Sequence, residues 1–350
     1  MNTIVMTVDN INPEADVLAQ AGEIIRTGGL VAFPTETVYG LGGDALNAQS
    51  AHKIYAAKGR PSDNPLIVHI CDWEDLSAIV DVIPECAKRL AQAFWPGPLT
   101  MIFRKSKAVP YETTGGLDTV AVRMPEHKAA LAFIKAAGGY VAAPSANVSG
   151  RPSPTLATHV IEDLSGRVDM ILDGGEVGIG LESTIIDLTE EIPMILRPGY
   201  ITAQMLEEVI GAVTTDKTIL DADAKEAPKA PGMKYRHYAP KGSLSIVEGS
   251  MEQVTAKIQE LILQAKQDGE KVGVIGTDET ISLYADADVV KSLGSRMDEE
   301  AIARHLYKVL REFDASEVTQ IYSESFGDNK MGQAIMNRLL KAAGHHMIQV

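Results

Sequence analysis

A chain of 350 residues exceeds what one ordinary hydrophobic core organises, so two domains are expected. The content of 45% hydrophobic and 23% charged residues is that of a packed globular protein, and 47 acidic against 32 basic side chains leave a net charge of -15, the wrong sign for gripping nucleic acid over a broad surface. Two cysteines, Cys71 and Cys86, form no CxxC pair or Cys/His cluster, Met1–Asp16 is no basic-then-apolar leader, and no apolar run approaches the roughly 18 residues of a spanning helix; no metal site is expected, and a soluble, cytoplasmic chain is.

In chain order, β-rich runs fall at 30–33, 66–70, 99–103, 120–124, 140–143, 170–172 and 184–188, with helical periodicity at 13–27, 50–58, 84–94, 128–137 and 155–164. Helices and strands do not alternate strictly, which predicts an α/β domain with a mixed sheet over residues 1–210. From 214 to 231 the chain turns Asp/Ala/Lys/Pro-rich and loses apolar periodicity, so a linker is placed at 211–240. Beyond it, strands at 244–247, 271–275, 289–292 and 320–323 alternate with helices at 251–267, 299–313 and 331–343, which predicts a smaller α/β domain over 241–350 with a parallel sheet.

There is no GxxxxGK[ST] loop and no strand-linked GxGxxG, so side chains must supply the charge for any bound nucleotide. Polar residues gather where strands stop, the usual place for function in open α/β sheets. The run from Phe33 to Gly42 carries Thr35, Glu36 and Thr37 into a glycine-rich turn, although a decorated turn accounts for it as well. Lys58 and Arg60 flank a glycine ahead of Asn64 and a strand that holds His69; helix-end electrostatics explains Lys58 but does not ask for the others. Apolar strands end in Arg123 and in the Ser145–Asn147 turn, and an arginine at a buried strand end needs an anion, structural or substrate. Ser183 and Arg197 repeat the hydroxyl and guanidinium theme, and Tyr235, His237 and Tyr238 bring three rings into four residues beside two cations, more than a solvated linker carries.

Taken together, the Pro-Thr-Glu-Thr-Val-Tyr-Gly-Leu run, the Lys58/Arg60 pair before Asn-Pro-Leu and the Pro144–Asn147 turn resemble the YrdC-type threonylcarbamoyl-AMP synthase family, and the Lys-Tyr-Arg-His-Tyr-Ala-Pro linker with its α/β tail resembles the long two-domain form. The resemblance implies a twisted catalytic domain with a basic cleft and a Rossmann-like C-terminal domain whose linker reaches across that cleft; carbamates and their mixed anhydrides hydrolyse, so the site must exclude water, and 231–240 is the expected active-site lid. It also implies L-threonine, bicarbonate or CO2, and ATP as substrates, and pyrophosphate and threonylcarbamoyl-AMP as products for downstream tRNA-modifying transferases; the chemistry of the triphosphate calls for Mg2+, and the acidic balance counts against stable tRNA binding. By the same carry-over Lys58, Arg60, Ser145 and Asn147 form the catalytic signature, while Thr37, His69, Arg123, Ala143 and Ser183 surround threonine. Arg60, Asn64, Thr119, Ser145, Ser153, Arg197 and Tyr235 or His237 face the nucleotide. Two other readings are an RNA-binding module, against which the acidic balance counts, and a carbamoyl transferase acting on carbamoyl phosphate, whose accompanying zinc fingers this chain lacks.

Overall fold

In a computed structural model, which describes residues 2–216, 238–327 and 331–350, the chain divides into two compact units. One comprises Met1–Ser149, Ser153–Gly178 and Glu182–Lys234; the other comprises Gly150–Pro152, Ile179–Leu181 and Tyr235–Val350. Among the described residues no helix is long and apolar enough to cross a membrane.

The first unit is built on eleven strands: β1 (Ile4–Thr7), β2 (Val31–Phe33), β3 (Gly40–Asp44), β4 (Ile67–His69), β5 (Leu99–Arg104), β6 (Thr119–Arg123), β7 (Val141–Ala142), β8 (Met170–Asp173), β9 (Thr184–Asp187), β10 (Met194–Arg197) and β11 (Thr214–Thr215). They run in the order β1-β8-β2-β3-β7-β4-β6-β5-β9-β10-β11. The sheet is mixed, as expected: β4 lies parallel to β6 but antiparallel to β7, and β5 is antiparallel to β6 but parallel to β9. The glycine-rich stretch expected as a turn is strand β3. Its glycines admit neighbours that side chains would exclude, for a Cβ on Gly42 would stand 2.9 Å from Val141 Cγ1.

Because successive strand residues face opposite sides, the sheet has two unlike faces. Val68, Val120, Val122 and Met101 belong to the large core, which the helix Glu85–Phe94 joins through Ala87, Leu90 and Ala91. Burying Leu90 fully contributes about 1.5–3 kcal/mol. The alternate residues Ile67, Ala121 and Ile102 form a much smaller apolar strip with Ile185 and Leu196.

The helix Ala48–Lys58 is bounded by local chemistry. The Asn47 side chain accepts from the Gln49 N–H, and Gly59 takes the left-handed conformation, φ 62°, that ends the helix and turns the chain toward Arg60. Lys58 is thereby the last helical residue, and it is buried.

The second unit carries five parallel strands: β12 (Ser243–Glu248), β13 (Val272–Gly276), β14 (Val289–Ser292), β15 (Gln320–Glu324) and β16 (Met347–Gln349). Their order is β14-β13-β15-β12-β16, with every pairing parallel. Helices Met251–Gln267, Glu299–Asp314 and Gly332–Ala342 alternate with them, which matches the rhythm read from the sequence. The first of these helices opens on a capping box between Ser250 and Gln253. Strand β16 was not expected.

Candidate active site

Register decides which polar groups meet. His69 on β4 stands opposite Arg123 on β6, and Arg123 stands opposite Thr100 on β5. All three therefore occupy the face of the small apolar strip, at one end of it. Thr119, partly exposed, begins the same strand β6 opposite Arg104; four residues at about 3.3 Å each put it roughly 13 Å from Arg123.

Arg123 is held by the segment that leaves β2. Its Nη1 donates to Thr37 Oγ1 at 2.9 Å, and its Nη2 lies 2.7 Å from Glu36 Oε1. Thr35 Oγ1 contacts the Val38 carbonyl at 2.7 Å and Thr37 Oγ1 at 2.9 Å. A carbonyl only accepts, so the Thr35 proton goes to Val38 and the Thr37 proton to Thr35, which leaves Thr37 lone pairs for Arg123. These hydroxyls are buried and arranged in one direction.

Beside them His69 is buried, its Nδ1 3.2 Å from the Ile67 carbonyl and its ring edge-on to Phe33. Burial and then the Arg123 charge push its imidazole down to about 3, so the ring is uncharged at neutral pH. An unfolded chain protonates this histidine near its ordinary value of about 6.5, whereas the folded one resists until far lower. Stability is thus fully present above about pH 6.5 and is lost as pH falls, by about 1.4 kcal/mol per unit for this one proton. We expect His69→Asn to flatten the fall in denaturant-measured stability between pH 6 and 4; parallel curves for the two proteins would refute the assignment.

On the other flank, Thr100 Oγ1 contacts Ser183 Oγ at 2.7 Å, and Arg197 donates through Nε to the Ser183 carbonyl at 3.0 Å and through Nη2 to Ser183 Oγ at 3.2 Å. A second guanidinium is thereby set on a serine hydroxyl, three places beyond the first in the row Thr37, Arg123, Thr100, Ser183, Arg197. The Ser153 hydroxyl donates to Glu182 Oε1 at 2.5 Å, so its recorded partner is a carboxylate outside the expected set.

The remaining candidates gather on the chain entering β4 and leaving β7. Lys58 Nζ donates to the Ser145 carbonyl, to the Asn147 carbonyl at 2.6 Å and to Asn147 Oδ1 at 3.3 Å. Ser145 Oγ donates to the same Asn147 Oδ1 at 2.5 Å. Lysine, serine and asparagine form one cluster although the chain separates Lys58 from Asn147 by 89 positions. Arg60 is anchored on its own loop, with Nε on the Asn64 carbonyl at 3.4 Å and Nη2 on the Pro65 carbonyl at 3.2 Å, while the buried Asn64 Oδ1 has no hydrogen-bond partner. Ala143 gives its N–H to the Ile67 carbonyl at 2.8 Å, so a backbone contact from it to a ligand falls to its carbonyl. Tyr235 and His237, and most of the 231–240 segment, lie outside the described residues. Tyr238 stacks on Tyr307 within the second unit at 5.0 Å between ring centroids.

Glu36, Thr100 and Glu182 complete the site without having been expected as members. Glu36 sits inside the recognised run and could have been found by asking what neutralises a buried arginine; Thr100 emerges only from strand register. Among the described residues, no group of three or more His, Cys, Asp or Glu side chains could hold a metal ion.

An open mixed sheet whose strand ends set two buried guanidinium–hydroxyl pairs at one end of a small apolar strip, with a buried lysine on the Ser145–Asn147 turn, defines an α/β domain that concentrates polar groups at its strand ends. The chain belongs to the Sua5, YciO and YrdC family: that family's model, described as "Telomere recombination", matches residues 23–199, and the model described as "Threonylcarbamoyl-AMP synthase, C-terminal domain" matches 201–344. It is 51% identical over 342 residues to a Bacillus subtilis threonylcarbamoyl-AMP synthase, covering 97% of each chain. It is 50% identical to the Pyrococcus abyssi threonylcarbamoyl-AMP synthase, covering 99% of this chain and all of that one (100%). A crystal structure of Pyrococcus abyssi Sua5 complexed with L-threonine superimposes with a TM-score of 0.94 over 99% of this chain and 100% of that one, at 49% identity.

Proposed function

We propose that the chain condenses L-threonine, bicarbonate or CO2, and ATP into threonylcarbamoyl-AMP and pyrophosphate, as a nucleotidyltransferase serving tRNA threonylcarbamoyladenosine synthesis. The observation that carries this reading is the pair of guanidinium–hydroxyl sets, Arg123 on Thr37 and Arg197 on Ser183, at one end of the strip. The names of the Bacillus and Pyrococcus relatives and the threonine held by the Pyrococcus protein support it.

In this reading Arg123 and Ser183 hold the amino-acid carboxylate, Thr37, His69 and the Ala143 carbonyl border the rest of threonine, and Arg60, Asn64, Thr119, Ser145, Ser153 and Arg197 take the nucleotide. The threonine ammonium first loses a proton to solvent, and the free amine then adds to CO2, releasing a second proton as the carbamate forms. A carbamate oxygen then attacks the α-phosphate and pyrophosphate leaves, while fixed cations at Lys58, Arg60 and Arg197 offset the charge that builds on phosphoryl oxygens; preorganised donors of this kind contribute about 2.7–4 kcal/mol each in well-studied cases. Holding carbamate against phosphate removes much of the entropic barrier. Mg2+ is proposed to travel on the triphosphate, ligated by phosphate oxygens and water, since the described residues offer no carboxylate cluster for it.

Threonine- and bicarbonate-dependent pyrophosphate release, with an adenylate of threonylcarbamoyl-AMP mass, is the decisive test. No release with any amino acid would overturn the proposal. The division into a catalytic domain (1–210), a linker and lid (211–240) and a C-terminal domain (241–350) is likewise proposed, from the ring- and cation-rich composition of 231–240. Cutting the chain after 213 is expected to weaken ATP affinity at least tenfold, and unchanged affinity would remove the lid.

A further inference from the structure

The Arg123 guanidinium is buried, yet two of its nitrogens, Nε and Nη2, have no hydrogen-bond partner. Nε and Nη2 form one edge of the guanidinium, and such an edge grips a carboxylate through two parallel N–H···O bonds. Glu36 Oε1 lies 2.7 Å from Nη2, close enough for an ion pair but off the line of the N–H bonds. It neutralises Arg123 without closing the two-bond fork, since Nε has no partner. Oε1 itself accepts the Glu126 N–H at 3.1 Å, and the second oxygen, Oε2, is buried without a partner.

Two buried atoms of this ion pair, Arg123 Nε and Glu36 Oε2, have neither a hydrogen bond nor a close opposite charge, an arrangement that costs folding free energy. A purely structural ion pair would turn the carboxylate into the fork. This one leaves a two-donor edge and a lone acceptor of opposite charge together, next to a histidine that carries no charge at neutral pH. The nest as a whole is electrically balanced. A simple carboxylate entering it meets Arg123 but is repelled by Glu36, whereas a zwitterion offers a carboxylate to one and an ammonium to the other.

We propose that Glu36 is the residue that makes this subsite select a zwitterionic amino acid over a simple carboxylate, with Arg123 taking the carboxylate and Glu36 taking the charge of the α-ammonium. The inference rests on Arg123 as the carboxylate anchor in the proposed reaction, and it deepens that reading by assigning a selectivity determinant. Glu36 acts before chemistry, on the amino acid as it enters.

The test is calorimetric titration of the full chain without ATP, using L-threonine and 3-hydroxybutanoate, which is the same molecule lacking the α-amine. The wild-type chain is expected to favour threonine by at least a hundredfold. In Glu36→Gln the ratio should fall at least tenfold, because the ammonium loses its partner and the anion loses its repulsion. A ratio unchanged within threefold, including a parallel loss of both affinities, would mean that Glu36 only supports the fold. Should Glu36→Gln not fold, the wild-type chain decides: threoninol, which keeps the ammonium and lacks the carboxylate, should bind at least tenfold better than uncharged 1,3-butanediol, and equal binding overturns the inference. A wild-type chain that binds threonine but fails these comparisons loses the inference alone, while one that binds no threonine loses both it and the proposed reaction.

Discussion

Replacing Arg123 with alanine should raise the threonine KM at least a hundredfold and lower the melting temperature by roughly 10 °C. Two costs combine. Binding loses a charge-assisted, bidentate carboxylate contact, of the order of 3 kcal/mol, and about 1.4 kcal/mol corresponds to each tenfold in affinity. Folding loses the counter-ion of Glu36, whose side chain is only 11% exposed, and removing one partner of a buried pair costs about 3–5 kcal/mol. In a unit of roughly 200 residues each kcal/mol moves the midpoint by about 2–4 °C. Arg123→Lys should restore part of the stability and little of the threonine affinity, because a point charge cannot serve Thr37 and both carboxylate oxygens together. Pyrophosphate release against threonine concentration reads the first effect and a thermal melt the second. A threonine KM within threefold of wild type would remove Arg123 from the amino-acid subsite.

Lys58→Ala should behave differently, with kcat down at least a hundredfold and threonine affinity in the absence of ATP within about threefold. The ammonium serves three acceptors on the Ser145–Asn147 turn, two backbone carbonyls and Asn147 Oδ1. Without it those oxygens lose their donor, at about 1–3 kcal/mol for a buried group left unpaired, and the turn that presents Ser145 relaxes. The Arg123 nest shares none of these bonds. Single-turnover adenylate formation and a threonine titration separate the two ends of the site. A loss of threonine affinity as large as the loss of rate would show that Lys58 supports the whole sheet edge rather than the Ser145 end.

Much of the fold was legible, because β-branched strands between periodic helices declare themselves. The second unit was read through its alternation, with the strand expected at 271–275 lying at Val272–Gly276. What escaped was set by packing. Strand β3, with the sequence GLGGD, reads as a turn because glycine has no strand preference, and it pairs because glycine alone fits between Val31 and Val141. The short terminal strand β16 carries too few residues for a period to show.

The candidate site was legible as a set of residues and not as a set of contacts. Arg123 and Thr37 meet across 86 positions, and Thr100 faces Arg123 only because β5 pairs antiparallel with β6 in one register. A slip of one residue would turn Thr100 to the other face of the sheet. Glu36 was in view from the start as the carboxylate of a polar run; its partner was not.

The direction of the hydroxyl chain has a bearing on recognition. With the Thr37 proton given to Thr35 and one lone pair given to Arg123, the only capacity left on Thr37 is to accept. It can read a guest that brings an N–H or O–H, and it is blind to the oxygens of a carboxylate or phosphate. A guest hydroxyl is therefore sensed by its proton, so that an analogue with a methyl in that place leaves a buried acceptor unanswered, while loss of a mere methyl beside it is felt only weakly.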